Sequence, residues 1–240
     1  MAMAAMNLPR ADAQGIRRAV PDSLAGLVAE VSGIVADPSV SEDDVVRALG
    51  RGLLAAAAAT RLPDLAVWVE IALAAGQADA PLPADLLHGP ASAFLVPAGG
   101  RLRLLPDMAA LRRACPAARH GRPRLAVLAG GRLHVRPAPA QDVVVGFDYH
   151  RLPAPLAAPG DKPEGLPVHL AGPLLVAYAC RELFERLEEG ADGIKTQTAA
   201  YGKRHEVLLA ELTATTGPRQ TAPVDVPSAA DPYGFGEDCP

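Results

Sequence analysis

Aromatic residues and long apolar runs are both scarce in this chain of 240 residues. Phe, Trp and Tyr make up 4% of the sequence although half of it is hydrophobic, so a core must be built mainly from Leu, Val and Ala. The longest apolar run, residues 53–59, is far shorter than the roughly 20 residues that a transmembrane helix needs. Residues 1–15 lack the basic region and apolar block of a secretory signal. We therefore expect a soluble protein that does not associate with a membrane.

Motifs of the common enzyme classes are absent as well. The sequence has no GxSxG nucleophile elbow, no HExxH zinc motif and no glycine-rich phosphate loop of the GxGxxG or GxxxxGK type. The three cysteines are far apart and form no CxxC pair, so a zinc site of the usual spacing is not expected. The formal charge of −4 argues against a domain that grips nucleic-acid phosphates. These absences predict a protein without cofactors or catalytic residues.

A metal site assembled from residues far apart in the sequence is a separate hypothesis. Of the six histidines, His134 and His150 fall on predicted strands, and Asp148 lies just before the second of them. Imidazole and carboxylate groups are common ligands of a hydrolytic zinc ion. The hypothesis is a metal-assisted hydrolase that uses these three side chains, and the lack of any local ligand spacing argues against it.

The sequence divides by composition into helical, β-rich and extended segments. Apolar residues recur every three or four positions after Ser23 and after Ser41, and Ser41 and Asp44 have the spacing of a capping box. Short apolar runs between glycines and prolines then predict strands. The predicted segments are a mobile N-terminal arm (1–20), N-terminal helices (21–80), a β-rich module (81–150), an extended crossover (151–173), a C-terminal helix pair (174–216) and an extended proline-rich tail (217–240).

This order predicts an α+β fold, in which the N-terminal and C-terminal helices form one helical bundle with a small antiparallel β-module inserted between them and an extended C-terminal tail. Gly130-Gly131 is expected to form a tight hairpin turn, because glycine readily adopts positive φ angles. The block 65–75 fits either a strand or a helix, and Trp68 within it is expected to anchor the core. The prolines of 152–173 predict that the crossover has no regular structure.

Two further groups of residues have more than one interpretation. Glu185, Glu188 and Glu189 lie on the polar face of the first C-terminal helix. They are either a solvated helix surface or the wall of a pore through which DNA passes, since like charge prevents DNA from adhering. Tyr233 and Phe235 stand in the proline-rich tail, and they are either part of a disordered end or anchors that become ordered on a partner.

Several patterns occur here in the order found in the head-to-tail adaptor, or connector, proteins of tailed phages. They are the strand GRLHVRP (131–137), a strand that ends in FDYHRLP (147–153), the segment LPVHL (166–170) and a helix that contains Tyr201. None of these patterns is diagnostic alone. The resemblance rests on their occurring in the same order as in that family. The chain resembles this family from about residue 23 to about residue 215, most densely over the last part of that range.

The resemblance implies a structural protein that forms a ring of about a dozen copies beneath the portal vertex. Such a ring extends the DNA channel and docks the tail. The implied partners are the portal protein ring, tail or nozzle proteins and further copies of the chain, with DNA only as passing cargo. The implied location is the neck of the virion, after assembly in the host cytoplasm. In this family Glu185, Glu188 and Glu189 would face the channel. A tail-completion or stopper ring of the same neck is the alternative.

Overall fold

The computed structural model describes residues 22–97, 99–115, 120–188 and 195–217. Within these ranges the fold is α+β, with five helices and a mostly antiparallel sheet, which confirms the predicted class. A short 3-10 turn, Pro63–Leu65, follows the second helix. The helices are α1 (Leu24–Val35), α2 (Glu42–Ala59), α3 (Met108–Ala114), α4 (Val168–Leu187) and α5 (Thr196–Thr216).

The strands form one sheet of eight and a separate pair. They are β1 (Ala66–Leu73), β2 (Asp79–Pro81), β3 (Leu86–His88), β4 (Ala93–Val96), β5 (Gly100–Leu104), β6 (His120–Gly121), β7 (Leu125–Ala129), β8 (Arg132–Arg136), β9 (Ala138–Pro139) and β10 (Val143–Arg151). The order in the large sheet is β1-β10-β4-β5-β7-β8-β2, and β3 also pairs with β10. Among the described strands of that sheet only β5 and β7 are parallel neighbours, while β6 and β9 form the separate parallel pair.

One apolar core is shared by α1, α2, α4 and α5. The predicted starts of the first two helices are confirmed: the Ser23 side chain accepts a hydrogen bond from the Gly26 N–H, and Ser41 and Asp44 form a capping box. These caps satisfy backbone groups that the first helical turn leaves unpaired. Helix α4 is the central element, because ten of its residues are buried, including Leu174. We call residues 22–65 and 152–217 the helical layer.

The last two helices run antiparallel, as their short connection predicts. The ring of Tyr178 contacts that of His205 at 5.3 Å between centroids, while Phe184 stacks on Tyr201 at 5.6 Å. Residues later in α4 thus contact residues earlier in α5, which is the pattern of two antiparallel helices. On α5 itself only His205 and Leu212 are buried, so this helix lies at the outside of the helical layer.

A second apolar core lies on one face of the large sheet. On β10, Val145 and Phe147 are fully buried and face this core, in agreement with the alternation that the sequence predicts. The hairpin between β7 and β8 turns through Gly130 and Gly131, whose φ angles are 59° and 71°. Both values lie where a side chain would be strained, so the prediction of a glycine turn is confirmed. We call residues 66–151 the sheet layer.

The segment 21–80 is not helical throughout, which corrects the sequence prediction. Its second half contains β1 and β2, and β1 pairs along its whole length with β10. Trp68 on β1 is also not the expected core anchor, because 48% of its surface is exposed. It lies on the same face of the strand as Glu70, opposite the apolar side chains that enter the core.

The extended crossover ends earlier than its prolines predict. Helix α4 begins at Val168, and the carbonyl of Pro167 accepts hydrogen bonds from the N–H groups of Leu170 and Ala171 at 2.9 Å. Pro173 lies inside this helix, where it removes one backbone hydrogen bond. The burial of the apolar residues around Pro173 offsets the loss of this hydrogen bond. The sequence prediction counted only the missing N–H donors of the prolines and did not include this burial.

Candidate interaction surface

The hypothesis of a metal-assisted hydrolase is not supported by the positions of its residues. His134 lies on β8, and His150 and Asp148 lie on β10, with β4, β5 and β7 between the two strands. Adjacent strands are about 4.8 Å apart, so the four spacings separate β8 from β10 by about 19 Å. No group of three or more His, Cys, Asp and Glu side chains in the described ranges could hold a metal ion. The hydrolase alternative therefore lacks the ligand set that it requires.

Two of the three buried polar residues in the described ranges, Thr60 and His88, lie at the contact between the two layers. His88 on β3 is 4% exposed, and its Nε2 lies 2.8 Å from the carbonyl oxygen of Ala57 and 3.1 Å from that of Thr60 at the end of α2. The ring of His88 meets that of His150 edge-on at 6.1 Å. Arg61 donates from this region to the carbonyl oxygen of Gly89. These contacts tie the end of α2 to the sheet, so the histidines here have a structural role.

Cys180, on the inward face of α4, is an inert thiol. It is fully buried in the helical layer, and burial raises its pKa to about 12. A thiol with such a pKa is almost entirely protonated at neutral pH, and only the thiolate is a good nucleophile. Its role is to fill the core.

Glu188 binds the start of the next helix. Its carboxylate accepts hydrogen bonds from the N–H groups of Gln197 and Thr198 at 3.1 and 3.2 Å and from the Thr198 hydroxyl at 2.6 Å. The hydrogen bond from the Thr198 side chain is the main cause that lowers the pKa of Glu188. Since the N-cap residue of α5, Lys195, makes no side-chain cap, Glu188 supplies the missing acceptor from the preceding helix.

The other acidic residues of this run differ in their surroundings. Glu185 is exposed and lines a shallow cleft of about 310 Å³ between α2 and α4. Three carboxylates and three basic side chains line that cleft, among them the ion pair of Arg51 and Glu182, so its charges balance. Glu189 lies outside the described residues, as do Tyr233 and Phe235. Their predicted contacts stay predictions.

Within the described ranges, the largest exposed apolar side chain is Trp68, near one edge of the sheet. Its indole N–H donates to Glu70 at 3.1 Å, and its ring lies over Gly146 of β10. A Cβ at Gly146 would collide with Cζ2 of Trp68 and lie 2.9 Å from both Cη2 of Trp68 and Cγ2 of Val96, so the absence of a side chain there makes room for the indole. Trp68 is therefore held in place while half of it faces solvent, as in residues that anchor interfaces.

The two layers carry opposite formal charges, which the total of −4 conceals. Among the described residues, the sheet layer has nine arginines and six acidic residues, whereas the helical layer has nine basic and fourteen acidic residues. Their formal charges are thus +3 and −5. Several arginines of the sheet layer make no ion pair with the described residues. We call this group the arginine surface. They are Arg103, Arg112, Arg113, Arg122, Arg124 and Arg136.

The arginine surface occupies one part of the sheet, around β5, β7, β8 and α3. Arg103 is the register partner of Leu125, which in turn pairs with Arg136, so these arginines share a face of the sheet. The guanidinium of Arg122 lies against Gly100 at the start of β5. The ion pair of Arg132 with Asp79 marks the border of the group on β8. Charge counted by segment would have shown this surface in the sequence, where charge counted over the whole chain did not.

No helix in the described part of the chain is long and apolar enough to span a membrane. None of the curated proteins matches the chain. A protein-family model does match it: the model described as SU10 adaptor protein aligns with residues 22–227, a range that includes both layers. Because this range is most of the sequence and includes every helix and strand described above, the chain belongs to the SU10 adaptor protein family.

Proposed function

We propose that the protein is a structural adaptor in the neck of a tailed phage. The observation that carries the proposal is the family match over residues 22–227, because it covers both layers and not one common module. An adaptor of this family is a structural component of the virion that contacts portal or tail proteins. The described residues also hold no cluster of side chains suited to metal-assisted chemistry.

In the finer form of the proposal, about a dozen copies form a ring beneath the portal, extend the DNA channel and dock the tail. Helices α1, α2, α4 and α5 act as the bundle of each subunit, and residues 217–240 extend from it. Assembly takes place in the host cytoplasm. The exposed outer helix α5 and the half-exposed Trp68 support this form, because a ring subunit needs free surfaces on several sides.

Specific residues follow from the same proposal. Glu185 and Glu189 face the channel, where their charge keeps DNA from adhering. Glu188 contributes less charge to the channel wall than these two residues, because its carboxylate also caps α5. Tyr233 and Phe235 are the anchors through which the tail segment binds a partner, since aromatic side chains bury large areas at interfaces.

The test is to image purified virions by electron microscopy and to measure binding of the full chain to isolated portal rings. The proposal expects a ring of the chain at the portal and saturable binding. A chain that is missing from virions and does not bind the portal contradicts it. A ring found further down the neck favours the alternative, a tail-completion or stopper protein.

The tail anchors are tested in the same portal-binding assay. The variant Tyr233→Ala/Phe235→Ala should bind the portal or the tail proteins more weakly than wild type, by about tenfold or more if both residues are anchors. The matched control is Gln220→Ala/Thr221→Ala, which changes two polar residues of the same segment. Equal binding by the two variants would remove Tyr233 and Phe235 from the interface.

A further inference from the structure

The arginine surface is suited to an acidic partner. Six guanidinium groups without an ion pair in the described ranges lie within one part of the sheet layer, on a chain whose total charge is negative. Like charges at this density repel one another, and a complementary surface removes that repulsion. The question is which acidic surface covers the arginines.

We propose that the arginine surface docks on the acidic helical layer of a second copy of the chain. This inference rests on the proposed ring and names the contact from which the ring is built. The supporting observation is charge complementarity within one sequence, +3 for the described residues of the sheet layer and −5 for those of the helical layer. Every copy carries both surfaces, so the arginine surface of one copy can contact the acidic helical layer of the next.

The arginine surface and the carboxylates of the helical layer are different patches, so a contact between them can be heterologous, and such a contact closes into a ring when the rotation between copies allows. A two-fold dimer pairs the same two patches reciprocally, because residue i of one copy then contacts residue j of the other and j contacts i. Sedimentation distinguishes the two arrangements, since a two-fold dimer stops at two copies and a head-to-tail ring contains more.

On the helical layer, exposed carboxylates without a cationic partner occur at the start of α2. Glu42 and Asp43 are exposed and make no ion pair with the described residues, whereas the adjacent Asp44 is held by Arg47 and Arg186. They are suited to receive arginines of a neighbour at little cost, because no internal pair has to be broken.

Duplex DNA is the rival occupant of the arginine surface, because guanidinium groups also bind phosphate. One observation favours protein. The same chain carries a larger negative charge on its helical layer, which repels DNA at short range.

The experiment compares two charge-reversal variants of the full chain. Arg122→Glu/Arg124→Glu reverses two arginines of the arginine surface, and Lys203→Glu/Arg204→Glu makes the same change of charge on exposed positions of α5. Far-UV circular dichroism confirms that each variant folds. Sedimentation velocity over a range of concentrations, at low and high salt, then measures self-association.

We expect wild type to self-associate and high salt to weaken the association. The arginine variant should associate about tenfold or more weakly, and the control, which makes the helical layer more acidic, should associate no more weakly than wild type. The arginine variant keeps its helical layer, so in an equimolar mixture it should bind one wild-type neighbour and shorten the assemblies. The variant Glu42→Lys/Asp43→Lys should lose association as the arginine variant does.

Four results would overturn the inference. Wild type could remain monomeric at every concentration in low salt, or the arginine variant could associate like wild type. Alternatively, wild type could bind duplex DNA in a mobility-shift assay that the arginine variant fails, with self-association unchanged. A chain found in virions whose copies meet through other residues would overturn this contact alone and leave the proposed adaptor function intact.

Discussion

Two glycines in helix α2 allow the packing of the helical layer to be tested with matched substitutions. Gly50 and Gly52 lie two positions apart inside α2, and their surroundings differ. A Cβ at Gly50 would meet nothing within 4 Å, whereas a Cβ at Gly52 would lie 3.0 Å from Cδ1 and 3.1 Å from Cγ of Tyr178 on α4. Both positions gain helix propensity on substitution by alanine, and only Gly52 meets a neighbour.

The expected free energies of unfolding follow from these distances. Gly50→Ala should stabilise the protein by about 1 kcal/mol, the difference in helix propensity between glycine and alanine. Gly52→Ala gains the same amount and loses about 1–3 kcal/mol to overpacking against Tyr178. That ring cannot withdraw easily, since it lies against His205 at 5.3 Å and beneath the guanidinium of Arg181 at 4.8 Å. The two variants should therefore differ by about 1–3 kcal/mol, with Gly52→Ala the less stable.

Urea unfolding followed by far-UV circular dichroism measures both values, provided that the slope with denaturant is unchanged. A double-mutant cycle then identifies the contact: in a Tyr178→Ala background the difference between the Gly50→Ala and Gly52→Ala variants should disappear. If Gly52→Ala stabilises the protein as much as Gly50→Ala does, α2 and α4 do not approach each other as closely as the structure places them.

Three further perturbations have defined outcomes. Glu188→Ala should destabilise α5 at neutral pH. Since the native pKa of Glu188 is lowered, the difference in the free energy of unfolding between this variant and wild type should shrink as acid protonates that carboxylate. A difference that stays constant from pH 7 to acid would contradict the role of Glu188 as a cap. Burial lowers the pKa of His205, so unfolding takes up a proton as the pH falls through about 6.5. The free energy of unfolding should then decline below that pH in wild type and decline less in His205→Gln. Gly146→Ala should displace the indole of Trp68, the only tryptophan, and shift its fluorescence, whereas Gly50→Ala on α2 should not.

The elements that sequence alone could locate are those set by neighbouring residues. The capping box of Ser41 and Asp44 and the start of α1 at Ser23 depend on side chains and backbone groups within one turn. The hairpin at Gly130 and Gly131 depends on two φ angles. In each case the residues that determine the structure are adjacent in the chain, so the pattern is sufficient.

The position of Trp68 could not be found in this way. Apolar side chains occur on both faces of β1, although Glu70 shares the face of Trp68, and the pairing with β10 decides which face enters the core. Room for the exposed indole comes from Gly146, which is distant in the sequence and adjacent in the sheet. A large aromatic residue is a core residue only if the surrounding structure closes over it, and here it does not.

The acidic run at the end of α4 illustrates a similar limit. Glu185 and Glu188 look alike in the sequence, as charges on one helix face. The chain then reverses, so Glu188 meets the first N–H groups of α5 while Glu185 stays in solvent. Their difference arises from the path of the connection between the two helices, which composition does not encode.

The net charge of this protein hides an uneven distribution of charge between its two layers. The value of −4 suggested a uniformly weakly acidic molecule without a basic surface. Divided between the layers, the charge instead gives each copy one acidic and one basic side. A protein with two different, mutually attractive sides has the property that head-to-tail association requires, whereas a protein with a uniform surface must depend on shape alone. The reversal of Arg122 and Arg124 therefore tests whether the adaptor's assembly is determined by this division of charge.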